Sequence, residues 1–336
     1  MIQTKEGIVI MDAHESEIIF WDKHLDLYHN PKGNYFKEGF NPRGGYIADF
    51  TIIKKDERYH LFHIERKHGG NCAWPGHEIY FGHSSTSDFV TWETHMPVLF
   101  IQPGTWEGSH VFAPYVMQYG KMYVMFYTGL NEDHSQSIGM AFSKDLFYWE
   151  RYYGNPIFQL ANCEWACWAR NVVSSCRDPH VFTENGKMHL YYTAVKKTGE
   201  TCIALATSED LYNWKDEGAV FYLKLDYGMK VVPGPRHIES SCVHRMGEQY
   251  YLFYGHNAGV RYNRSNDQKC FGNAEGEMIW SGFTGFEVIE RQDPVWLVSA
   301  FEMSEQKLFV GIIDWSDSKP VVSLPEDSSE ISRFLR

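Results

Sequence analysis

The chain is predicted to be all-β, a five-bladed β-propeller with four-stranded blades around a central channel. Three features of its 336 residues carry that reading: a hairpin pattern that recurs five times, a near-constant spacing between copies, and 16% aromatic against 22% charged residues. Aromatic and β-branched residues suit a pleated, half-buried surface, so the aromatic excess points to many short strands or to stacking surfaces.

Each copy is a short apolar strand, a polar turn and a second strand of alternating aromatics. The copies are Asp49–Phe62, Ala113–Phe126, Pro179–Tyr192, Ser240–Phe253 and Leu297–Val310, with turn residues Asp56, Gly120, Gly186, Gly247 and Ser304. Successive turns lie 64, 66, 61 and 57 residues apart. Period-two strands around a tight turn are hairpins, and about sixty residues accommodate four strands, longer than a WD40 blade. A second motif, Asp-[Phe/Leu]-x-x-Trp, follows in three copies: Asp88 to Trp92, Asp145 to Trp149 and Asp210 to Trp214, with a degenerate fourth at Ser281–Phe286. It is expected to pin the outer turn of each blade, a structural role. The stretch Glu17–Trp21 is expected to supply a strand that closes the last blade, and residues 316–336 read as a polar, partly mobile tail. Five blades use the whole length, so residues 1–336 are counted as one domain.

Composition excludes several functions. The net charge of −12 repels phosphates and argues against a nucleic-acid partner. There is no run of roughly 18 apolar residues and no leader-like N-terminus, so neither a membrane partner nor export is expected. Seven scattered cysteines, an odd number, suit reduced thiols in a cytoplasmic protein.

In a propeller the innermost strands line the channel and their entry ends converge. The entry residues are Asp49 in blade 1, Arg177-Asp178-Pro179 in blade 3 and His237-Ile238-Glu239 in blade 4; blade 2 enters at Ala113-Pro114 and blade 5 at Trp296-Leu297-Val298. Any one of these acids could simply open a turn. Three at matched positions of three blades, where Asp is otherwise depleted, point to chemistry. Crowded carboxylates push each other's pKa values apart, which is what glycoside hydrolysis requires of its acid and its base or nucleophile. Tyr46, Trp74, Trp106 and Trp168 are candidates to stack on sugar faces, and each could equally be core packing. Glu107 flanks Trp106, while His110 and His237 are expected partners for sugar hydroxyls. No cofactor is predicted. The blade 1 histidines His60, His63, His68, His77 and His83 read as packed or surface residues, so no metal site is expected.

With these residues in place, the chain resembles the β-furanosidase superfamily, glycoside hydrolase families 43 and 32, from about Asn41 to Trp315. Asn41-Pro42 through Asp49, Tyr59-His60-Leu61-Phe62 and Val111-Phe112-Ala113-Pro114 resemble family 43. Gly82-His83, Ser87 to Trp92, Tyr153 to Ile157 and Arg177-Asp178-Pro179 resemble family 32. The resemblance implies a five-bladed glycosidase. It implies Asp49 as nucleophile or base, Asp178 as transition-state stabiliser, Glu239 as general acid and Arg177 as a donor to substrate hydroxyls. The implied substrate is an oligo- or polysaccharide or a small glycoside: a fructoside, arabinoside or xyloside. Two departures stand out. Ala48 and Phe50-Thr51 flank Asp49 where family 32 has Asn-Asp-Pro-Asn, and Ser240-Ser241 separate Glu239 from Cys242. Two alternatives remain: a glycoside phosphorylase, for which Arg43, Arg66, Arg170 and Arg177 could gather phosphate, and a non-catalytic sugar-binding propeller.

Overall fold

A computed structural model describes residues 35–41, 46–66, 77–168, 176–223, 238–316 and 320–335, and the separate strands Ile2–Thr4, Gly7–Met11 and Ile18–Trp21. Five four-stranded antiparallel sheets follow in chain order and form a five-bladed β-propeller. Their inner strands are Tyr46–Lys55, His110–Tyr119, Arg177–Glu184, Glu239–Met246 and Phe283–Gln292. Among the described residues helix is confined to Tyr35–Glu38.

The first four hairpins lie where the repeat places them, and their turns use the left-handed backbone the residues allow. Asp56, Gly120, Gly186 and Gly247 have φ of 54°, 61°, 76° and 58°. The fifth copy is displaced. Leu297–Val310 spans the second and third strands of blade 5; the inner strand is Phe283–Gln292, joined to Val295–Glu302 through Asp293-Pro294. Trp296, Leu297 and Val298 therefore do not open the inner strand, and Ser281–Phe286, expected as an outer turn, runs into it. Hydrophobicity misled here. The second strand is buried on both sides and reads strongly, whereas the inner strand is interrupted by Glu287 and Glu290.

The three full copies of the second motif are corners between third and fourth strands. In each, a hydroxyl two residues before the Asp accepts backbone N–H groups, and the Asp carboxylate accepts two more. Ser143 Oγ takes the amides of Asp145 and Leu146, and Asp145 Oδ1 those of Phe147 and Tyr148, at 2.8–3.2 Å. Phe89, Leu146 and Leu211 are buried at left-handed φ in the three corners.

The ring closes differently from expectation. Ile18–Trp21 pairs with Gly7–Met11 in a separate three-stranded sheet, and blade 5 takes its fourth strand from Val322–Ser323. Among the described residues ahead of blade 1, Phe40 bridges to Leu308 and stacks on Trp92 at 4.1 Å. The described part of the tail is anchored. Ile331 and Phe334 are fully buried, and the Phe334 carbonyl accepts from Tyr59 Oη at 2.6 Å and Lys54 Nζ at 2.9 Å. Two apolar residues in a polar stretch outweigh its average composition.

Candidate active site

All five inner strands slip register at the same point. The slip falls between Ala48 and Phe50, Phe112 and Tyr115, Arg177 and His180, Glu239 and Cys242, and Thr284 and Glu287. The residue within each slip is left-handed: Asp49 (29°), Ala113 (44°), Asp178 (56°), Ser240 (55°) and Gly285 (65°). This is a β-bulge repeated in every blade, which bends the strand and re-aims one side chain. Pro114 and Pro179 fit inside it because a bulged residue has no ladder amide to donate. Asp49 and Asp178 therefore hold equivalent positions. Glu239 does not: it lies one residue before the bulge, equivalent to Ala48 and Arg177, and Ser240 takes the bulged place.

The bulges converge on one pocket, lined by Asp49, Ala113, Pro114, Asp178, Ser240, Gly285 and Glu287 among others. Arg177 organises the acids around it. Its Nη2 donates to Glu239 Oε2 at 2.6 Å, and its Nε lies 3.2 Å from Asp178 Oδ2. Asp178 Oδ2 also accepts from Thr193 Oγ1 at 2.8 Å and from the Ser240 amide at 3.2 Å, while the Asp178 amide donates to Thr128 Oγ1 at 3.1 Å. Asp178 is buried at 6% exposure, whereas the Glu239 side chain is 40% exposed at the rim. Burial pushes the Asp178 carboxyl above its ordinary range, opposed by Arg177 and reinforced by Glu239. Burial also works against the charge on Arg177, but Asp178, Glu239 and, more distantly, Asp49 outweigh it and raise its pKa. This guanidinium stays charged and is already engaged by two carboxylates.

Glu287 is absent from the sequence-predicted site because the apolar run that marks blade 5 is its second strand, one strand after the inner one. It accepts the Ile52 amide at 3.2 Å across the blade 1–blade 5 seam. Burial lifts its carboxyl to about 8.

The other predicted binding residues separate clearly. Glu107 is fully buried and bonded to Arg151 Nε at 2.7 Å, so it has no surface to offer a substrate. Trp106 packs on Tyr127, centroids 5.5 Å apart, and fills the space a Cβ at Gly129 or Gly139 would need, 2.3 and 2.4 Å away. Packing against two glycines explains this ring better than sugar stacking. His110 is buried at 3% exposure, its Nδ1 2.7 Å from Ser109 Oγ. Tyr46 opens the inner strand of blade 1. Trp74 and His237 lie outside the described residues, as do Arg43 and Arg170.

The fold and this acidic pocket define a class, the five-bladed propellers of glycoside hydrolases. The structure superposes on a fructan 1-exohydrolase IIa from Cichorium intybus with a TM-score of 0.68 at 14% identity, covering 87% of this chain and 60% of that one. It superposes on a thermostable family-43 glycoside hydrolase with a TM-score of 0.63 at 19% identity, covering 85% and 96%. Within that class, residues 40–273 match the family described as Glycosyl hydrolases family 32 N-terminal domain, and the chain belongs to that family. An invertase from Debaryomyces hansenii is 24% identical over 52% of this chain and 32% of its own length. A β-fructofuranosidase, insoluble isoenzyme, from Arabidopsis thaliana is 31% identical over 32% of this chain and 18% of its own. The matches thus span between about a fifth and a third of these relatives.

Proposed function

We propose that the chain is a glycoside hydrolase that cleaves a furanosidic bond, with fructosides as the first substrate class. The observation that carries this is Arg177 holding Asp178 and Glu239 beside the bulge-borne Asp49. The names of the family 32 relatives support the choice of fructosides. In this reading Glu239, exposed at the rim, gives a proton to the glycosidic oxygen as its bond to the anomeric carbon breaks. Asp49 acts on that carbon, as nucleophile or through an activated water. Asp178, immobilised by Thr193, Ser240 and Arg177, accepts hydrogen bonds from sugar hydroxyls and stabilises the cationic transition state. A phosphorylase would need a free cation at the mouth, and Arg177, already engaged by both acids, does not favour that reading.

The test is product analysis with sucrose, 1-kestose and arabino-oligosaccharides, with and without phosphate. Fructose release independent of phosphate is expected. Arabinose release would move the substrate class, a phosphate requirement would install the phosphorylase, and inertness toward every furanoside would withdraw the proposal. Glu239→Gln should lose far more rate on sucrose than on an activated aryl fructoside, whose leaving group needs little protonation. Equal losses on both would remove the acid role from Glu239.

A further inference from the structure

Below the acids, the inner strands of blades 3 and 4 bring together three side chains that the proposed hydrolysis does not use. His180, Cys242 and His244 each offer one ligand atom within 4.8 Å of the other two. We propose that they bind a single zinc-class transition-metal ion that ties blade 3 to blade 4 directly under the catalytic pocket.

The local chemistry favours a metal over plain packing. His180 Nε2 lies 3.2 Å from the Val243 carbonyl, which can only accept, so that nitrogen carries the proton and Nδ1 presents its lone pair. A ring N–H fixed by a backbone carbonyl is the usual second shell of a metal-bound histidine. His244 Nε2 is buried without a hydrogen-bond partner among the described residues. Such an orphan is costly unless something meets it. Cys242 is 1% exposed, and burial and then Glu287 push its thiol well above the ordinary range against the Val288 amide, so the thiol would give up its proton only as the ion binds.

Two imidazoles and a thiolate select zinc, cobalt(II) or copper(I) and exclude calcium and magnesium, which need oxygen ligands. Bonds of about 2.0–2.3 Å place tetrahedral ligands about 3.5 Å apart, so the triad must contract by roughly 1 Å, within reach of side-chain rotation. Three protein ligands leave a fourth position for a solvent molecule, and His180 already lines the pocket that holds Asp49 and Asp178. His180 lies two positions after Asp178 and Cys242 three positions after Glu239, so the ion would brace both acid-bearing bulges without touching substrate.

The experiment is a cobalt(II) titration of chelator-treated full-length protein. One equivalent should bind with a thiolate-to-cobalt charge-transfer absorption, zinc should displace it, and one equivalent of zinc should raise the melting temperature. Cys242→Ser should abolish the charge-transfer band. His244→Gln should weaken binding by more than about 100-fold, since outer-shell partners alone are worth about 10–100-fold. Circular dichroism establishes that each variant is folded, and a variant that does not fold leaves the decision to the wild-type titration and melt. Absence of the band in wild type, its persistence in folded Cys242→Ser, or a zinc-independent melting temperature overturns the site.

Discussion

Blades 1 and 3 differ from blades 2 and 5 in side chains and hardly at all in backbone. All four kink their inner strand at the same register with a left-handed residue, but blades 1 and 3 place Asp49 and Asp178 there while blades 2 and 5 place Ala113 and Gly285. A left-handed non-glycine residue costs roughly 1 kcal/mol, and at an active site it is tempting to read it as strain stored for catalysis. Ala113, with no ionisable group, adopts the same conformation. The kink therefore belongs to the way a blade turns its edge into the channel. Chemistry is added by what side chain the kink carries.

The sharpest way to break that distinction is to change side chains at the kinks and leave the backbone alone. Asp49→Asn and Asp178→Asn should each cost about 10²–10⁴-fold in kcat/KM, typical of losing an acid–base group, with melting temperatures close to wild type. Normal turnover in either variant would return that aspartate to the status of Ala113.

Blade 2 offers the converse: a residue close to the mouth whose work is packing. Trp106→Ala should destabilise the fold by about 3 kcal/mol, because the ring fills what Gly129 and Gly139 leave open. Denaturant midpoints measure this. Unchanged stability with a raised KM would restore the sugar-stacking role instead.

Glu287, two residues past the blade 5 kink, sharpens the comparison through pH. Its folded-state pKa near 8 exceeds the ordinary 4.5, so between those values the folded state holds a proton that the unfolded state has released. Stability contributed by the neutral carboxyl is full below about 4.5, falls as pH climbs, and levels off above about 8. Glu287→Gln should flatten that slope, by on the order of 2 kcal/mol once the partial opening of the carboxyl to the channel is discounted. A slope identical to wild type would mean Glu287 is charged in the folded protein.

The smallest effect is expected farthest from the channel. Asp145→Ala removes the acceptor for two amides at an outer corner and should cost about 1 kcal/mol without altering activity. A loss of activity with unchanged stability would contradict the structural reading of this repeated motif.

What was legible in the sequence follows from what the residues must do locally. Hairpin turns announce themselves because Gly and Asp supply positive φ cheaply, and corners do so because Asp and Trp recur at fixed spacing. Asp178-Pro179 and Ala113-Pro114 mark their bulges, since proline suits an unpaired slot. Asp49 and Ser240 lack that marker, so Glu239 was aligned one residue out of step. Arg177 was visible as a neighbour of Asp178, but its reach to Glu239 spans two blades. Glu287 was hidden by a stronger apolar run one strand later. The pairing of His180 with Cys242 and His244 is a tertiary accident of two inner strands, with no local signal at all.

The anchored tail has a kinetic consequence. The bond from Tyr59 to the Phe334 carbonyl joins residues 275 positions apart, across the seam between the first and last blades. Contacts of such long sequence separation are slow to form, because most of the chain must be ordered before they reward it. A chain emerging from its N-terminus completes blade 1 long before Phe334 exists. Blade 1 must therefore wait with one flank bare, and the seam is where an unfinished ring is most exposed to capture by another chain.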